Sequence, residues 1–156
     1  MNAGAVDLAV RYGSGHYPGI RCEALFQEVF APVTSPNLLA NLTDNIQQWP
    51  LIHFDWHYAL DAANWPAWAK AAGVRLDTAG GTRYSDASHT IQAAVAGQGV
   101  ALLGLKLVAA ELAAGLLKVA AEPVLPAQFY WLCESERMRY GEAVQKVKSW
   151  LLAQCR

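Results

Sequence analysis

Short apolar runs alternate with helical segments along nearly the whole chain, and this alternation restricts the fold more than any other feature. Residues 100–103 are continuously apolar, which is typical of a strand covered on both faces. Strands are also predicted at 51–54 and 129–133, and helices at 65–72 and 140–154. Strands separated by helices predict an α/β fold with a mostly parallel sheet.

Near its beginning the chain has two further extended segments. Residues 6–12 alternate in polarity, and the glycines after them predict a turn. Residues 25–34 form the second segment, in which Pro32 predicts an edge or bulge position because proline cannot donate to a ladder.

Composition limits the classes of protein to which the chain can belong. It has 156 residues, of which 54% are hydrophobic and 16% charged, so one domain with a real core is expected rather than disorder. The net charge of -1 argues against nucleic-acid binding by these residues. No apolar run reaches the ~18 residues of a membrane span, and the first residues lack the pattern of a signal peptide. A cytoplasmic protein without membrane contact is therefore expected.

The cysteines and glycines predict no cofactor. Cys22, Cys133 and Cys155 form no C-x-x-C, which excludes a disulfide scaffold or a cysteine zinc module and suits a reducing compartment. Gly13 and Gly15 follow a strand as in a dinucleotide-binding turn, but proline stands at the third glycine position.

One cluster has the residue types of a metal site. His53, Asp55 and His57 are close in sequence, but the H-E-x-x-H pattern is absent and residues 51–54 are predicted as strand. No metal is expected. We interpret this segment as a loop at the mouth of a cleft, with Trp56 available for packing or for stacking on a ligand.

Ser85, Asp86, Ser88 and His89 stand at the predicted start of a helix. They include the residue types of a hydrolase triad, but neighbouring side chains on a helix diverge and no G-x-S-x-G elbow is present. A helix N-terminus with hydroxyls favours an anion. Ser85 or Asp86 could equally serve only as the helix cap, and the two interpretations are compatible.

Seven segments together carry a family resemblance. They are VDLAVRYGSG (6–15), YPG (17–19), FAPVTSP (30–36), WPLIH (49–53), WPAW (65–68) with AGV (72–74), YSDAS (84–88) and QAAVAGQGVAL (92–102). In order and spacing they resemble the effector-binding domain of LysR-type transcriptional regulators, within the glycine-cleavage-activator-like subgroup.

The resemblance implies a periplasmic-binding-protein-like fold, in which two α/β subdomains are joined by two crossing strands. Residues 32–127 would form the second subdomain, and residues 1–31 with 128–156 the first. A small polar or anionic, amino-acid-like effector would bind at the carboxyl ends of the strands. The expected effector-binding residues are Tyr12, Ser14, Asp55, Trp56, Ser85, Asp86, Ser88, His89 and Leu103.

The chain also departs from the family pattern. No helix-turn-helix domain is present, so DNA would be bound only through such a domain in a longer chain. Elements that precede the strand at 6–12 in the family are missing, so the first subdomain is expected to be truncated and incomplete. Uncovered strand edges then predict a homo-oligomer.

Two alternatives remain open. One is a small α/β enzyme, a hydrolase or a metal-dependent enzyme, that uses His53, His57 or His89. The other is a free-standing solute-binding domain without a regulatory role. The sparse set of catalytic side chains favours binding over catalysis, so no enzymatic activity is expected.

Overall fold

The computed structural model describes residues 6–55, 63–136 and 140–155. Its strands are β1 (Leu8–Gly13), β2 (Ile20–Thr34), β3 (Leu51–Phe54), β4 (Thr82–Tyr84), β5 (Val100–Gly104), β6 (Lys118–Val119) and β7 (Leu125–Ser135). Its helices are α1 (Pro36–Asn41), α2 (Trp65–Ala72), α3 (Ala87–Val95), α4 (Ala109–Ala113) and α5 (Glu142–Gln154), with a 3-10 turn at Ile46–Gln48.

The chain divides into two compact units. Unit 1 consists of Met1–Glu28 and Gln128–Arg156, and unit 2 of Val29–Ala127. Both divisions fall inside strands, one within β2 and the other within β7. The chain therefore passes from one unit to the other through two strands.

Unit 2 contains a mixed sheet. Its strand order is β2-β5-β3-β4, and β6 also pairs with β2. β3 is parallel to β4 and to β5, whereas β2 is antiparallel to β5 and to β6. The prediction of a mostly parallel sheet is therefore wrong. Alternation of strands and helices predicts parallel pairing only for two strands that are joined by one helix. β2 and β5 are far apart in sequence, so the alternation does not predict their relative direction.

Two apolar clusters form the core of unit 2. Every residue of β5 is buried, as the continuous apolar run predicts. One cluster contains Leu103 with the small residues of α3, and the other packs α2 on Val100 and Leu102. The buried indole N–H of Trp65 in α2 is also hydrogen-bonded, since Nε1 donates to the carbonyl of Ile52 at 2.9 Å.

Pro32 lies inside this sheet, which corrects the expected edge or bulge position. It pairs with Leu102 of β5, and its carbonyl accepts from the Ala120 N–H at 2.8 Å on the other side. The nitrogen and carbonyl of one strand residue point to the same side. The nitrogen therefore faces the short β6 side, and no bond to β5 is lost.

Two glycines press against the beginning of β3. A Cβ at Gly81 would lie 2.4 Å from the Leu51 carbonyl oxygen, and one at Gly99 would lie 2.4 Å from that of Pro50. Gly81 also has a φ of +106°, which side-chain-bearing residues rarely adopt. Glycine is therefore required on both flanks of this strand.

In unit 1, β1 is antiparallel to β7, with Leu8 opposite Glu134. Helix α5 is attached to the sheet through Lys148, whose Nζ lies 2.9 Å from Glu134 Oε1. The large apolar side chains of α5 are only partly covered, since Val147 and Trp150 are 51% and 61% exposed. No helix in the described residues has both the length and the apolar character needed to cross a membrane.

Leu103→Ala tests the dependence of unit 2 on β5. We expect it to lower the free energy of unfolding by about 2–5 kcal/mol, since it leaves a cavity at a completely buried position. Leu107→Ala removes the same atoms from a side chain that is 47% exposed and should cost less than about 0.5 kcal/mol. Urea unfolding followed by tryptophan fluorescence measures both free energies. Equal losses of unfolding free energy in the two variants would contradict the assignment of β5 to the core of unit 2.

Candidate functional site

The carboxyl ends of β3 and β4 lie side by side in unit 2 because the two strands are parallel. Asp55 follows β3, and its backbone N–H donates to the Tyr84 carbonyl at 2.8 Å. Arg83 Nη1 lies 3.0 Å from Asp55 Oδ1, and these two side chains are 51% and 53% exposed. A cation and an anion are thus presented together at this edge of the sheet.

Helix α3 begins just after β4 and is capped by Asp86. Asp86 Oδ1 accepts from the His89 N–H at 3.0 Å, and the Thr90 hydroxyl donates to the Asp86 carbonyl at 2.8 Å. His89 Nδ1 lies 3.8 Å from the same carboxylate oxygen. Of the two expected caps, Asp86 is the one used. Ser85 and Ser88 are exposed beside it.

A cavity of about 210 Å³ lies at the end of β3. Its lining residues are Ile52, His53, Phe54, Asp55, Ala63, Asn64, Trp65, Pro66, Thr78, Arg83 and Leu102. Its volume is below the roughly 300–1,000 Å³ of drug-sized ligand sites, so it suits a small metabolite. Of the predicted site residues, the structure brings Asp55 to this cavity, whereas the start of α3 lies beyond its lining.

His53 is already engaged within the protein. The residue is 7% exposed, and Nε2 lies 2.8 Å from the Gly80 carbonyl oxygen, which can only accept. The N–H of this ring nitrogen therefore donates to Gly80. Trp56 and His57 lie outside the described residues. Within the described ranges, no three histidine, cysteine or acidic side chains group as metal ligands would.

Tyr12 and Ser14 belong to unit 1, at the end of β1 and in the turn after it. The Tyr12 hydroxyl accepts from the Gln128 N–H at 3.2 Å. Burial raises the pKa of Tyr12 above its usual value, and the nearby Glu28 charge adds to the shift. Ser14 Oγ accepts from the His16 N–H at 3.4 Å. The role of both residues in effector binding stays a prediction.

Leu103 has no exposed surface, since its side chain is completely buried in an apolar cluster of unit 2. Any contribution to a ligand site would have to come from its backbone. The continuous apolar pattern of residues 100–103 already predicts this burial, so Leu103 is better understood as core than as a contact residue.

Sequence reasoning missed Arg83, Asn64 and Thr78 as lining residues. Arg83 provides the positive charge of the described cavity lining, and Asn64 Oδ1 also caps α2 by accepting from the Ala67 N–H at 2.9 Å. A signal for Arg83 was present in the sequence. It is the charged centre of a three-residue strand that leads directly into the α3 cap.

Comparison with known proteins gives one family. The family model of the LysR substrate binding domain matches residues 1–156. The glycine cleavage system transcriptional activator of Escherichia coli (strain K12) is 30% identical over 158 residues, which cover 95% of this chain and 49% of that protein. AmpR of Rhodobacter capsulatus is 26% identical over 151 residues, covering 96% and 50%. The chain therefore spans about half the length of the curated relatives it matches.

Solved structures agree with this result. The effector domain of AmpR from Pseudomonas aeruginosa has a TM-score of 0.76 at 25% identity, and the match covers 96% of this chain and 72% of that one. Full-length LysG from Corynebacterium glutamicum with bound effector Arg has a TM-score of 0.65 at 17% identity, covering 97% and 52%. This likeness confirms the α/β, periplasmic-binding-protein-like fold.

Asp86→Ala tests the capping role. It should lower the free energy of unfolding by about 1 kcal/mol, since the His89 N–H loses its acceptor. Ser85→Ala changes the neighbouring exposed residue and should stay within about 0.5 kcal/mol of the unmodified chain. Chemical denaturation of both variants measures the difference, and a larger loss for Ser85→Ala would reassign the cap.

Proposed function

The chain belongs to the family of LysR substrate-binding domains, and on that premise we propose that it binds a small amino-acid effector on behalf of a longer transcriptional regulator. Unit 2 is assigned as the second effector subdomain and unit 1 as part of the first. DNA would be bound by a helix-turn-helix domain of the longer protein in the cytoplasm. The chain binds its effector without transforming it.

One observation carries the choice of effector, namely the Arg83–Asp55 pair in the lining of the cavity. A free amino acid has one carboxylate and one ammonium group. The Arg83 guanidinium can bind the carboxylate through two parallel hydrogen bonds, and Asp55 can accept from the ammonium group. Ion pairs this exposed contribute only about 0–1 kcal/mol, so an incoming zwitterion can separate the two side chains at low cost.

The start of α3 adds a second group for the same ligand class. Asp86 accepts from one of the first-turn N–H groups, while Ser85 and Ser88, which follow β4 in the chain, are exposed and present hydroxyls on the surface. We assign these hydroxyls, together with His89, to polar groups of the effector beyond its charged end. The Asp86 carboxylate disfavours a second negative charge here, which favours a zwitterion over a dianion.

Two named relatives support an amino-acid effector. The Escherichia coli relative is an activator of the glycine cleavage system, and LysG, which has the same fold, carries the effector Arg. Tyr12, Ser14 and Trp56 remain proposed contacts through the family resemblance. A regulatory effect requires that the effector bind two conformations with different affinity, because equal binding leaves their populations unchanged.

Calorimetric titration with the natural L-amino acids tests the proposal. At least one should bind, and Arg83→Gln should weaken that binding by about tenfold or more, because hydrogen bonds to charged groups contribute ~1.5–3 kcal/mol. Arg75→Gln is the matched control, since it removes an exposed arginine of unit 2 that does not line the cavity.

Analogues of the bound amino acid separate the roles of the two charges. An analogue that lacks the carboxylate should bind the unmodified chain and the Arg83→Gln variant with equal affinity. An analogue that lacks the amine should bind the unmodified chain and the Asp55→Asn variant with equal affinity. Equal affinity of the unmodified chain and the Arg83→Gln variant for the full amino acid would refute the proposed site.

We also propose that the chain self-associates through β1. Within the described residues β1 pairs only with β7, and Val10 on it is 54% exposed. An exposed, apolar edge strand favours pairing with another chain. Light scattering should show a dimer or larger species, and Val10→Lys should shift it toward the monomer because charge on an edge strand opposes pairing. A monomer at all concentrations would contradict this.

A further inference from the structure

Two of the three cysteines lie on neighbouring strands of unit 1. Cys22 belongs to β2 and Cys133 to β7, which are adjacent in the sheet. Cys22 is partly exposed and Cys133 is completely buried. Nothing in the proposed effector site uses either thiol.

The register of β2 on β7 places these cysteines opposite each other. The Glu136 N–H donates to the Gly19 carbonyl at 3.1 Å, and two residues further along each strand Arg21 Nη1 lies 3.6 Å from Glu134 Oε1. In an antiparallel pair the next step brings Cys22 opposite Cys133. Cys22 is close enough to Cys133 to contribute to the raised pKa of the Cys133 thiol, and Cys133 Sγ lies 3.9 Å from the Trp131 carbonyl oxygen.

The register of this pair is compatible with a cross-strand disulfide. Gly19 and Glu136 form a hydrogen-bonded pair, and such pairs alternate with non-hydrogen-bonded ones, so Cys22 and Cys133 occupy a non-hydrogen-bonded position. In antiparallel sheets the Cα atoms at such positions are typically about 4.5 Å apart, inside the roughly 4.4–6.8 Å range of disulfides. The bridge therefore needs rotation of side chains and no separation of strands.

The two sulfurs differ in their protonation and in their accessibility to a reagent. Burial raises the pKa of Cys133 to about 12, and the neighbouring Cys22 adds to the shift, so Cys133 keeps its proton at neutral pH. Cys22 is the sulfur that a reagent can reach. The Arg11 charge lowers the pKa of Cys133 by less than burial raises it.

We propose that Cys22 and Cys133 form a reversible dithiol–disulfide site, oxidised by small-molecule disulfides of the glutathione type. The Cys22 thiolate attacks one sulfur of the reagent, whose S–S bond breaks and releases one thiolate. The Cys133 sulfur then attacks Cys22 Sγ, releases the second reagent thiolate, and gives up its proton to it. Two protein thiols are oxidised and one reagent disulfide is reduced to two thiols.

The bridge would cross-link β2 and β7, the two strands through which the chain passes between its units. This regulatory site is independent of the proposed effector. Its test therefore needs no effector, and its failure would leave the effector proposal untouched.

The experiment incubates the folded, reduced chain with a fixed ratio of oxidised to reduced glutathione. Acid stops the exchange, a maleimide labels the remaining thiols after unfolding, and mass spectrometry reads the product. We expect a monomer lighter by two hydrogens before labelling, with one label on Cys155 and a linked peptide containing Cys22 and Cys133. At the same glutathione ratio, the ratio of bridged to reduced chain should be at least about tenfold higher for the folded chain than for the chain unfolded in urea. The reason is that folding holds the two thiols together.

Variants provide the controls. Cys155→Ser should retain the bridge, whereas Cys22→Ser, a change at a partly exposed position, should abolish it. The proposal is overturned if the bridge includes Cys155 or joins two chains, if Cys22 stops at the glutathione adduct, or if the folded chain bridges no better than the unfolded one.

Discussion

Unit 2 depends on the complete burial of β5. Its five residues carry no polar side chain, and apolar clusters cover both of its faces. It is hydrogen-bonded to β2 on one side and to β3 on the other, so it joins the strand that enters the unit to the strand that ends at the cavity. The position of Asp55 and Arg83 follows from this order, since β4 stands at the end of the described sheet and pairs with β3.

Local signals in the sequence predict most of the elements correctly. Helix α2 is an example, because Asn64 caps it, Pro66 suits its first turn and Gly73 ends it in a left-handed conformation. Strand β3 also has the predicted bounds. Each of these signals acts over a few residues, and no distant partner is needed to interpret it.

Strand direction and exposure could not be predicted in the same way. The antiparallel pairing of β2 with β5, and the interior position of Pro32, arise from contacts between segments about seventy residues apart. Trp150 lies in an apolar stretch of α5 yet is mostly exposed, whereas Lys148 of the same helix contacts Glu134 of the sheet. For the site, the sequence shows that Arg83 precedes the α3 cap, but its place in the cavity lining follows from the register of β4 on β3, which sets Arg83 opposite His53.

The tight contacts at Gly81 and Gly99 have a consequence for redesign of ligand preference. Both glycines hold the first residues of β3 in place, and any added methyl group would push against a main-chain oxygen. Mutational libraries aimed at new effectors should therefore diversify the rim of the cavity and leave these two positions constant. Protein engineers can therefore change the cavity rim while the two glycines keep the first residues of β3 in position.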